Sequence, residues 1–134
     1  ICLRYFNVFG PNQDPNSHYA AVIPKFIKIM KKKQSPPIFG NGKQSRDFTY
    51  IDNVIEANIL AIKAPLSACG QVFNIASGSH YTINYLIRTL NKYLHTSIKP
   101  VHKPPRPGDI LHSYASIALA EKFLGYHVIV NFQE

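Results

Sequence analysis

The sequence predicts alternating strands and helices, an α/β or α+β protein, on three observations. Short apolar runs closed by Gly or Pro alternate with stretches of helical periodicity. The clearest helix places Ile83, Leu86, Ile87, Leu90 and Leu94 at i, i+3, i+4, i+7 and i+11. The order is strand, helix, strands, helix, strand, helix, strand, helix, too few elements for a complete doubly wound sheet.

Residues 1–9 alternate and branch like a strand, and Gly10-Pro11 ends it. Residues 11–18 hold two Pro, two Asn, one Asp and one Ser, which predicts a loop. From Tyr19 to Lys33, Ala21, Val22, Phe26, Ile29 and Met30 follow helical spacing. Pro24 falls inside that pattern, in the first turn or at a kink. Ser35-Pro36-Pro37 breaks the chain, and Gly40-Asn41-Gly42 reads as a hairpin turn. Residues 46–51 read as a strand, with Asp52 as N-cap of a helix that carries Ile55, Ile59 and Ile62 and stops before Pro65.

Gln71 to Ala76 is a short apolar strand closed by Ser77-Gly78. Thr82 caps the clearest helix, and Ile98 to Val101 forms a candidate strand. Pro104-Pro105-Arg106-Pro107-Gly108 is a stiff loop. Ser116 is positioned to cap a last helix ending at Leu124, with Gly125 suited to follow it. The segment before Glu134 resembles the lead-in to another helix, and no internal repeat is visible.

The 134 residues suffice for one domain with a modest core. With 46% hydrophobic and 16% charged residues, the composition disfavours intrinsic disorder. No apolar run approaches the length of a membrane span. The start, Ile1-Cys2-Leu3-Arg4-Tyr5-Phe6, lacks Met and any signal-peptide layout, so the chain is expected to be a piece of a longer one. Fifteen Lys and Arg against seven Asp and Glu leave a net charge of +8. Apart from Lys31-Lys32-Lys33 the cations are scattered, which disfavours a nucleic-acid track and suits a smaller, phosphorylated anion. Cys2 and Cys69 are too few for a disulfide scaffold, so a reducing, cytoplasmic setting is expected. The six histidines form no zinc-ligand spacing, and no metal is expected.

Neither G-x-G-x-x-G nor G-x-x-x-x-G-K-[ST] occurs. What stands out is polar residues in apolar or rigid settings. Asn7 interrupts a strand, and a buried Asn needs a partner from backbone or ligand. Arg46 has two readings, pairing with Asp47 or aiming its fork at a phosphate. Arg106-Pro107-Gly108-Asp109 suits bidentate recognition of a polar ligand, and equally an ordinary surface turn.

These residues also carry a resemblance. Arg-Tyr-Phe-Asn-Val-Phe-Gly-Pro at 4–11, Asp14-Pro15-Asn16 and Tyr19 to Phe26 resemble the extended short-chain dehydrogenase/reductase superfamily, NAD-dependent epimerase/dehydratase type. So do Phe39 to Val54, with its Arg-Asp-Phe block, and Arg106-Pro107-Gly108-Asp109 followed by His112-Ser113. The Ala-Ala-Val-Ile-Pro-Lys stretch at 20–25 is similar to bacterial UDP-N-acetylglucosamine 4-epimerases of surface-polysaccharide synthesis. The sequence departs at His18, where a small residue is common, and at Asn53, where Asp is common.

The resemblance implies an α/β fold in which residues 1–134 are the C-terminal substrate-binding region of a Rossmann-type enzyme, incomplete without its N-terminal NAD domain. Strands 1–9 and 71–76 would belong to the edge of the Rossmann sheet. The implied enzyme is an isomerase: C4 of a UDP-hexose is oxidised, the 4-keto sugar turns over, and the hydride returns to its other face. The catalytic Tyr-x-x-x-Lys pair and the dinucleotide fingerprint are expected upstream of Ile1, so this segment alone is expected to be inactive. By the same resemblance, Tyr5 and Phe6 lie against the nicotinamide and Asn7 contacts the sugar or diphosphate. Ala21, Val22, Lys25 and Phe26 line the nucleotide's path, and Ile38 and Phe39 pack on the uracil. Arg46 and Arg106 neutralise the diphosphate, Asp109 holds the ribose hydroxyls, and Ser113 leaves room for an N-acetyl group.

The implied partners are a UDP-sugar and, when intact, a second copy in a homodimer, with no nucleic acid and no membrane. Alternatives are another nucleotide-sugar dehydratase or decarboxylase of the superfamily, or a truncated, non-catalytic nucleotide-sugar-binding product.

Overall fold

In the computed structural model, which describes residues 1–16 and 21–134, the elements in chain order are β1 (Cys2–Tyr5), β2 (Val8–Phe9), α1 (Val22–Lys31), β3 (Pro37–Phe39), β4 (Ser45–Arg46), β5 (Thr49–Tyr50), α2 (Ile51–Ile62), a 3-10 turn (Leu66–Ala68), β6 (Val72–Ile75), β7 (Tyr81–Thr82), α3 (Ile83–Leu94), β8 (Val101–Lys103), β9 (His112–Ser113) and α4 (Ala118–Leu124). The fold is α/β. The chain divides into two units, one of Ile1–Gly10, Asp47–His80 and Tyr114–Glu134, the other of Pro11–Arg46 and Tyr81–Ser113.

In the first unit β1 runs parallel to β6, pairing Cys2 with Val72 through Tyr5 with Ile75. A second parallel pair joins Val8 to Thr49 and Phe9 to Tyr50. The strand expected over residues 1–9 is thus two strands. The chain turns between them at Asn7, whose φ of +37° leaves the extended region. Val54, Ala57, Ala68, Phe73, Ile75, Ala120, Leu124 and Tyr126 form the core, with Leu3, Val8, Ile51 and Leu60 against it. Phe9 meets Phe48, Tyr50 and Phe132 edge-on, and Phe48 stacks on Phe132.

α2 differs from its sequence reading at both its start and its face. Asp52 stands inside the first turn rather than at the N-cap, which is Tyr50. There its negative charge still faces the positive end of the helix dipole. Ile55, Ile59 and Ile62 are exposed, while Asn53, Val54 and Ala57 are buried. Asn53 is buried because it acts as a peptide group. Its Nδ2 donates to the Val130 carbonyl at 2.8 Å, and its Oδ1 accepts from the amides of Ile129 (2.8 Å) and Val130 (3.0 Å). An ionised Asp could accept both amides but could not donate. The segment after α4 is held in this way and is not a helix. α4 itself starts after Ile117, with Ser116 Oγ accepting from the Ala118 amide at 3.5 Å, and ends at Gly125, φ +67°.

In the second unit α1 packs on α3. α1 buries Ile23, Phe26 and Met30, and α3 buries Ile83, Leu86, Ile87 and Leu90. Pro24 sits in the first turn of α1, where the missing N–H costs nothing. The part of the expected helix before Ala21 lies outside the described residues. Thr82 caps α3, its Oγ1 accepting from the Tyr85 amide at 3.1 Å. β3 pairs in parallel with β8, from Pro37–Val101 to Phe39–Lys103. β4 lies between antiparallel β7 and parallel β9.

The Gly40–Gly42 turn is therefore not a hairpin: β3 and β4 on its two sides pair with different strands. Gly42 has φ +73°, and a Cβ there would overlap the Asn84 side chain, whose Nδ2 donates to the Asn41 carbonyl at 2.9 Å. The expected strand at 46–51 is likewise two short ones, β4 and β5, with buried Asp47 and Phe48 between them.

Candidate functional site

The second unit gathers Phe39, Arg46, Arg106, Asp109 and Ser113. Residues 104–111 form a loop between β8 and β9, and every residue from 101 to 112 is exposed. β3 carries Phe39 beside β8, with Phe39 and Lys103 as register partners. β4 carries Arg46 beside β9, opposite Ser113. Two short parallel pairings thus fix both ends of a loop that proline stiffens in its middle.

Arg46 ties the loop's far end. Its Nη2 donates to Asp109 Oδ1 at 2.9 Å, while Nη1 donates to the Ser45 carbonyl at 2.8 Å and the Leu111 carbonyl at 3.5 Å. Its structural partner is therefore Asp109 and not the neighbouring Asp47. The Ser45 amide donates to the Leu111 carbonyl at 2.8 Å, and Ser45 Oγ lies 2.9 Å from His112 Nδ1. Arg106 lies at the near end with its guanidinium carbon 3.7 Å from the centre of the Phe39 ring. Lys103 Nζ is 6.0 Å from the same centre. The Phe39 backbone is fixed by Gln44, whose Nε2 donates to its carbonyl at 2.8 Å. The result is an aromatic face beside two cations, Lys103 and Arg106, with the Arg46–Asp109 ion pair at the other end of the same loop. Such a surface can hold an anion through the cations and a planar group on the ring.

The other nominated residues of this unit stand apart in character. Ile38 is 1% exposed and Phe26 is buried, so both belong to the core. Ala21 is the N-cap of α1, Val22 its first, half-buried residue, and Lys25 is on its exposed side. His18, Tyr19 and Ala20 lie outside the described residues.

The first unit contains Tyr5, Phe6 and Asn7. The Tyr5 hydroxyl donates to Asn58 Oδ1 at 3.1 Å, leaving its ring half-exposed. Phe6 is half-buried, its amide donating to the Ile75 carbonyl at 3.1 Å. Asn7 Nδ2 donates to the Asp47 carbonyl at 3.0 Å, and its own carbonyl accepts from the Thr49 amide at 3.4 Å. The open question about Asn7 thus has a structural part to its answer: it holds the turn between β1 and β2.

Asp47 was read in the sequence only as a partner for Arg46. It is fully buried, and its Oδ1 accepts from the Ser77 amide at 2.8 Å and the Ser77 hydroxyl at 2.6 Å. Burial pushes its carboxyl above the usual carboxylate range. The Ser77 hydroxyl and the amides of Ser77, Ala115 and Gly78 pull it partly back. Nearby, the Tyr126 hydroxyl donates to the Ala76 carbonyl at 2.8 Å. Its pKa is pushed up to about 12 by burial and by the Asp47 charge. No local signal in the sequence marks Asp47 as buried, because its partners lie 30 or more residues away.

The family model described as the NAD dependent epimerase/dehydratase family matches residues 1–76. The chain belongs to that family. A UDP-glucose 4-epimerase of Mycolicibacterium smegmatis is 32% identical over 136 residues, covering 96% of this chain and 40% of its own length. Among solved structures, Thermotoga maritima UDP-glucose 4-epimerase with UDP-glucose superposes with a TM-score of 0.91 at 38% identity, over 98% of this chain and 41% of that one. A UDP-N-acetylglucosamine 4-epimerase of Methanobrevibacter ruminantium, in complex with UDP-N-acetylmuramic acid, gives 0.83 at 48% identity, over 90% of this chain and 38% of that one. The chain thus spans about 40% of the length of the family members it matches.

Proposed function

We propose that the whole protein is an NAD-dependent UDP-sugar 4-epimerase, acting on an N-acetylated hexose, and that this chain supplies its UDP-sugar-binding part. The observation that carries this reading is the Phe39 face with Lys103 and Arg106 over it, at one end of a loop whose other end Arg46 ties through Asp109. Arg46 and Arg106 would neutralise the diphosphate, since a guanidinium fork matches phosphate oxygens two at a time. The Phe39 ring would take the uracil once Arg106 swings from it to the phosphate. Ile38, closed in the core, would support that ring from below, and Phe26 would likewise support the start of α1. Ala21, Val22 and Lys25 would line the nucleotide's path. Asp109, with one oxygen on Arg46, would receive the ribose hydroxyls on the other. Ser113 would leave space for the N-acetyl group.

In the first unit, Tyr5 and Phe6 would lie against the nicotinamide, and Asn7 would offer its Oδ1 to a sugar hydroxyl. NAD, when bound, supplies reversible hydride transfer at C4. These residues fit that role only as ring faces, because the chain has no glycine-rich turn at a helix N-terminus to receive a dinucleotide diphosphate. Binding of the dinucleotide is therefore assigned to the rest of the polypeptide, together with the catalytic base. In this reading β1 and β6 form the edge of the dinucleotide-binding sheet, the intact enzyme is a homodimer, and it works in the cytoplasm on surface-polysaccharide precursors.

The test is turnover. The whole polypeptide with NAD is expected to interconvert UDP-N-acetylglucosamine and its C4 epimer, while residues 1–134 alone bind UDP without turnover. Release of carbon dioxide from a UDP-uronate, or of water from the sugar, without C4 inversion would replace the epimerase reading by that of a decarboxylase or dehydratase.

A further inference from the structure

Charge is divided unevenly between the two units. The second holds twelve of the fifteen Lys and Arg but only two of the seven Asp and Glu, while the first holds three and five. No Asp or Glu occurs between Glu56 and Asp109, so α3 and the turn after it carry cations with no carboxylate near them in the chain. Arg46, Lys103 and Arg106 are accounted for by the Phe39 loop. Arg88 and Lys99 are not, and among the described residues neither pairs with a carboxylate.

These two cations line one cleft of about 400 Å³, a size ordinary for small-molecule sites. It lies where α3 leads into β8, and it shares no lining residue with the Phe39 face. Asn91 fixes the turn that forms its wall. The Asn91 Oδ1 accepts from the Thr96 hydroxyl at 2.8 Å and the Ile98 amide at 2.9 Å, and Nδ2 donates to the Ile98 carbonyl at 3.0 Å. The Val101 amide then anchors the chain on the Pro36 carbonyl at 3.0 Å. This wall is set before any ligand arrives, which lowers the ordering cost of binding. Arg88 is steadied too. Its guanidinium carbon lies 5.7 Å from the centre of the Tyr85 ring, which stacks on Tyr81 at 5.2 Å. An arginine beside a ring keeps its fork of N–H donors for an anion.

The rest of the lining narrows the ligand. Ile87, Ile98 and Pro100 give the cleft apolar surface, and no acid lines it. A bare anion would leave that apolar surface unused. A polynucleotide needs a groove of cations and rings longer than one cleft. We propose that the cleft between α3 and β8 is a binding site for a small organic phosphate, with its phosphoryl group on Arg88 and Lys99 and its carbon skeleton against Ile87, Ile98 and Pro100. The inference is independent of what the Phe39 face binds.

Arginine modification of the whole protein by phenylglyoxal, mapped by mass spectrometry of the digest, tests it residue by residue. Phenyl phosphate is the probe. At about 10 mM it is expected to slow modification of Arg88 at least about threefold, the factor for a Kd of about 5 mM. In Lys99→Gln, an exposed substitution, the slowing should fall below about 1.5-fold, because the phosphoryl group loses a charged partner. Inorganic phosphate at the same concentration should protect Arg88 less than phenyl phosphate does. Arg106 reports on the Phe39 face in the same digest, so binding there is read separately. No protection of Arg88, or protection that persists in Lys99→Gln, overturns the proposal. Equal protection by inorganic phosphate overturns it in favour of a site for the free anion. An Arg88 that does not react even without ligand overturns it by showing that the rest of the polypeptide covers the cleft.

Discussion

Arg46 and Asp109, 63 residues apart, are joined at 2.9 Å, and the same guanidinium also reaches two backbone carbonyls. The ion pair is partly exposed, with side chains 17% and 36% accessible. Its charge alone therefore contributes little, while the three-way geometry of the fork holds the loop end. Asp109→Asn should cost under about 1 kcal/mol in urea unfolding of the whole protein. Arg46→Lys should cost more, about 1–2 kcal/mol, because one ammonium cannot span the three acceptors. Equal losses would mean that charge, and not the fork, fastens the loop.

Arg106 rests on Phe39 with no carboxylate partner among the described residues. If that cation is held ready for a diphosphate, Arg106→Ala should weaken UDP binding by about 1–3 kcal/mol, the scale of a charged hydrogen bond. Arg106→Lys should recover only part, for want of a planar fork. Titration of UDP into the whole protein decides it. An unchanged dissociation constant in Arg106→Ala would place the residue on an ordinary surface turn.

How far the sequence could be read depends on how local each signal is. α3 and the β1–β6 strands carry their own periodicity, and Thr82 lies next to the amide it caps. β7 and β9 are two residues long and carry no signal of their own, since such strands exist only through pairing with β4, 35 or more residues away. Gly40-Asn41-Gly42 specified a turn but not which strands would flank it. The three isoleucines of α2 marked a helix correctly, yet the side they occupy is exposed in this chain. In the candidate site, Arg46, Arg106 and Asp109 stood out as charges in rigid settings. The contact of Arg106 with Phe39 and the pairing of Arg46 with Asp109 depend on tertiary placement and had no sequence signature. Burial of Asp47 was invisible for the same reason.

Asp47 should leave a trace in pH dependence. Its carboxyl is pushed above the ordinary carboxylate range in the folded state, chiefly by burial. The folded state therefore holds this proton more tightly than the unfolded state does. The group's favourable contribution is complete below its unfolded pKa and is lost as pH rises through the raised one. Stability of wild type relative to Asp47→Asn should thus fall as pH rises from the ordinary carboxylate range through the raised folded-state value. Urea midpoints of both proteins across that range measure it, and a difference that grows with pH would reverse the assigned sign.

Gly42 makes two separable demands. Its φ of +73° is unfavourable for any residue with a Cβ, and the Asn84 amide fills the space where that Cβ would lie. Gly42→Ala should cost about 1–3 kcal/mol, the backbone term plus overpacking. Asn84→Ala removes the obstruction but also the bond to the Asn41 carbonyl. The double variant should therefore be more stable than the sum of the two single losses, by at least about 0.5 kcal/mol, the usual threshold of coupling between touching residues. Strict additivity in thermal unfolding would show that the backbone term alone requires glycine.

Ser113 is the residue on which the identity of the sugar turns in the proposed reaction. It pairs with Arg46 across β4 and β9 and is half-buried, so its side chain has room of limited size around it. An N-acetyl group adds an amide and a methyl at C2, and a bulky ring at residue 113 would compete for that volume. Overpacking of this kind costs about 1–3 kcal/mol where the surroundings can yield. Ser113→Tyr in the whole enzyme should therefore lose activity on UDP-N-acetylglucosamine while keeping it on UDP-glucose. The quantity to measure is the ratio of the two kcat/KM values, because specificity is a difference in transition-state binding. A shift of at least about tenfold, or ~1.4 kcal/mol, is expected. A smaller change, or an equal loss on both sugars, would mean that Ser113 supports the β9 backbone without limiting the size of the pocket.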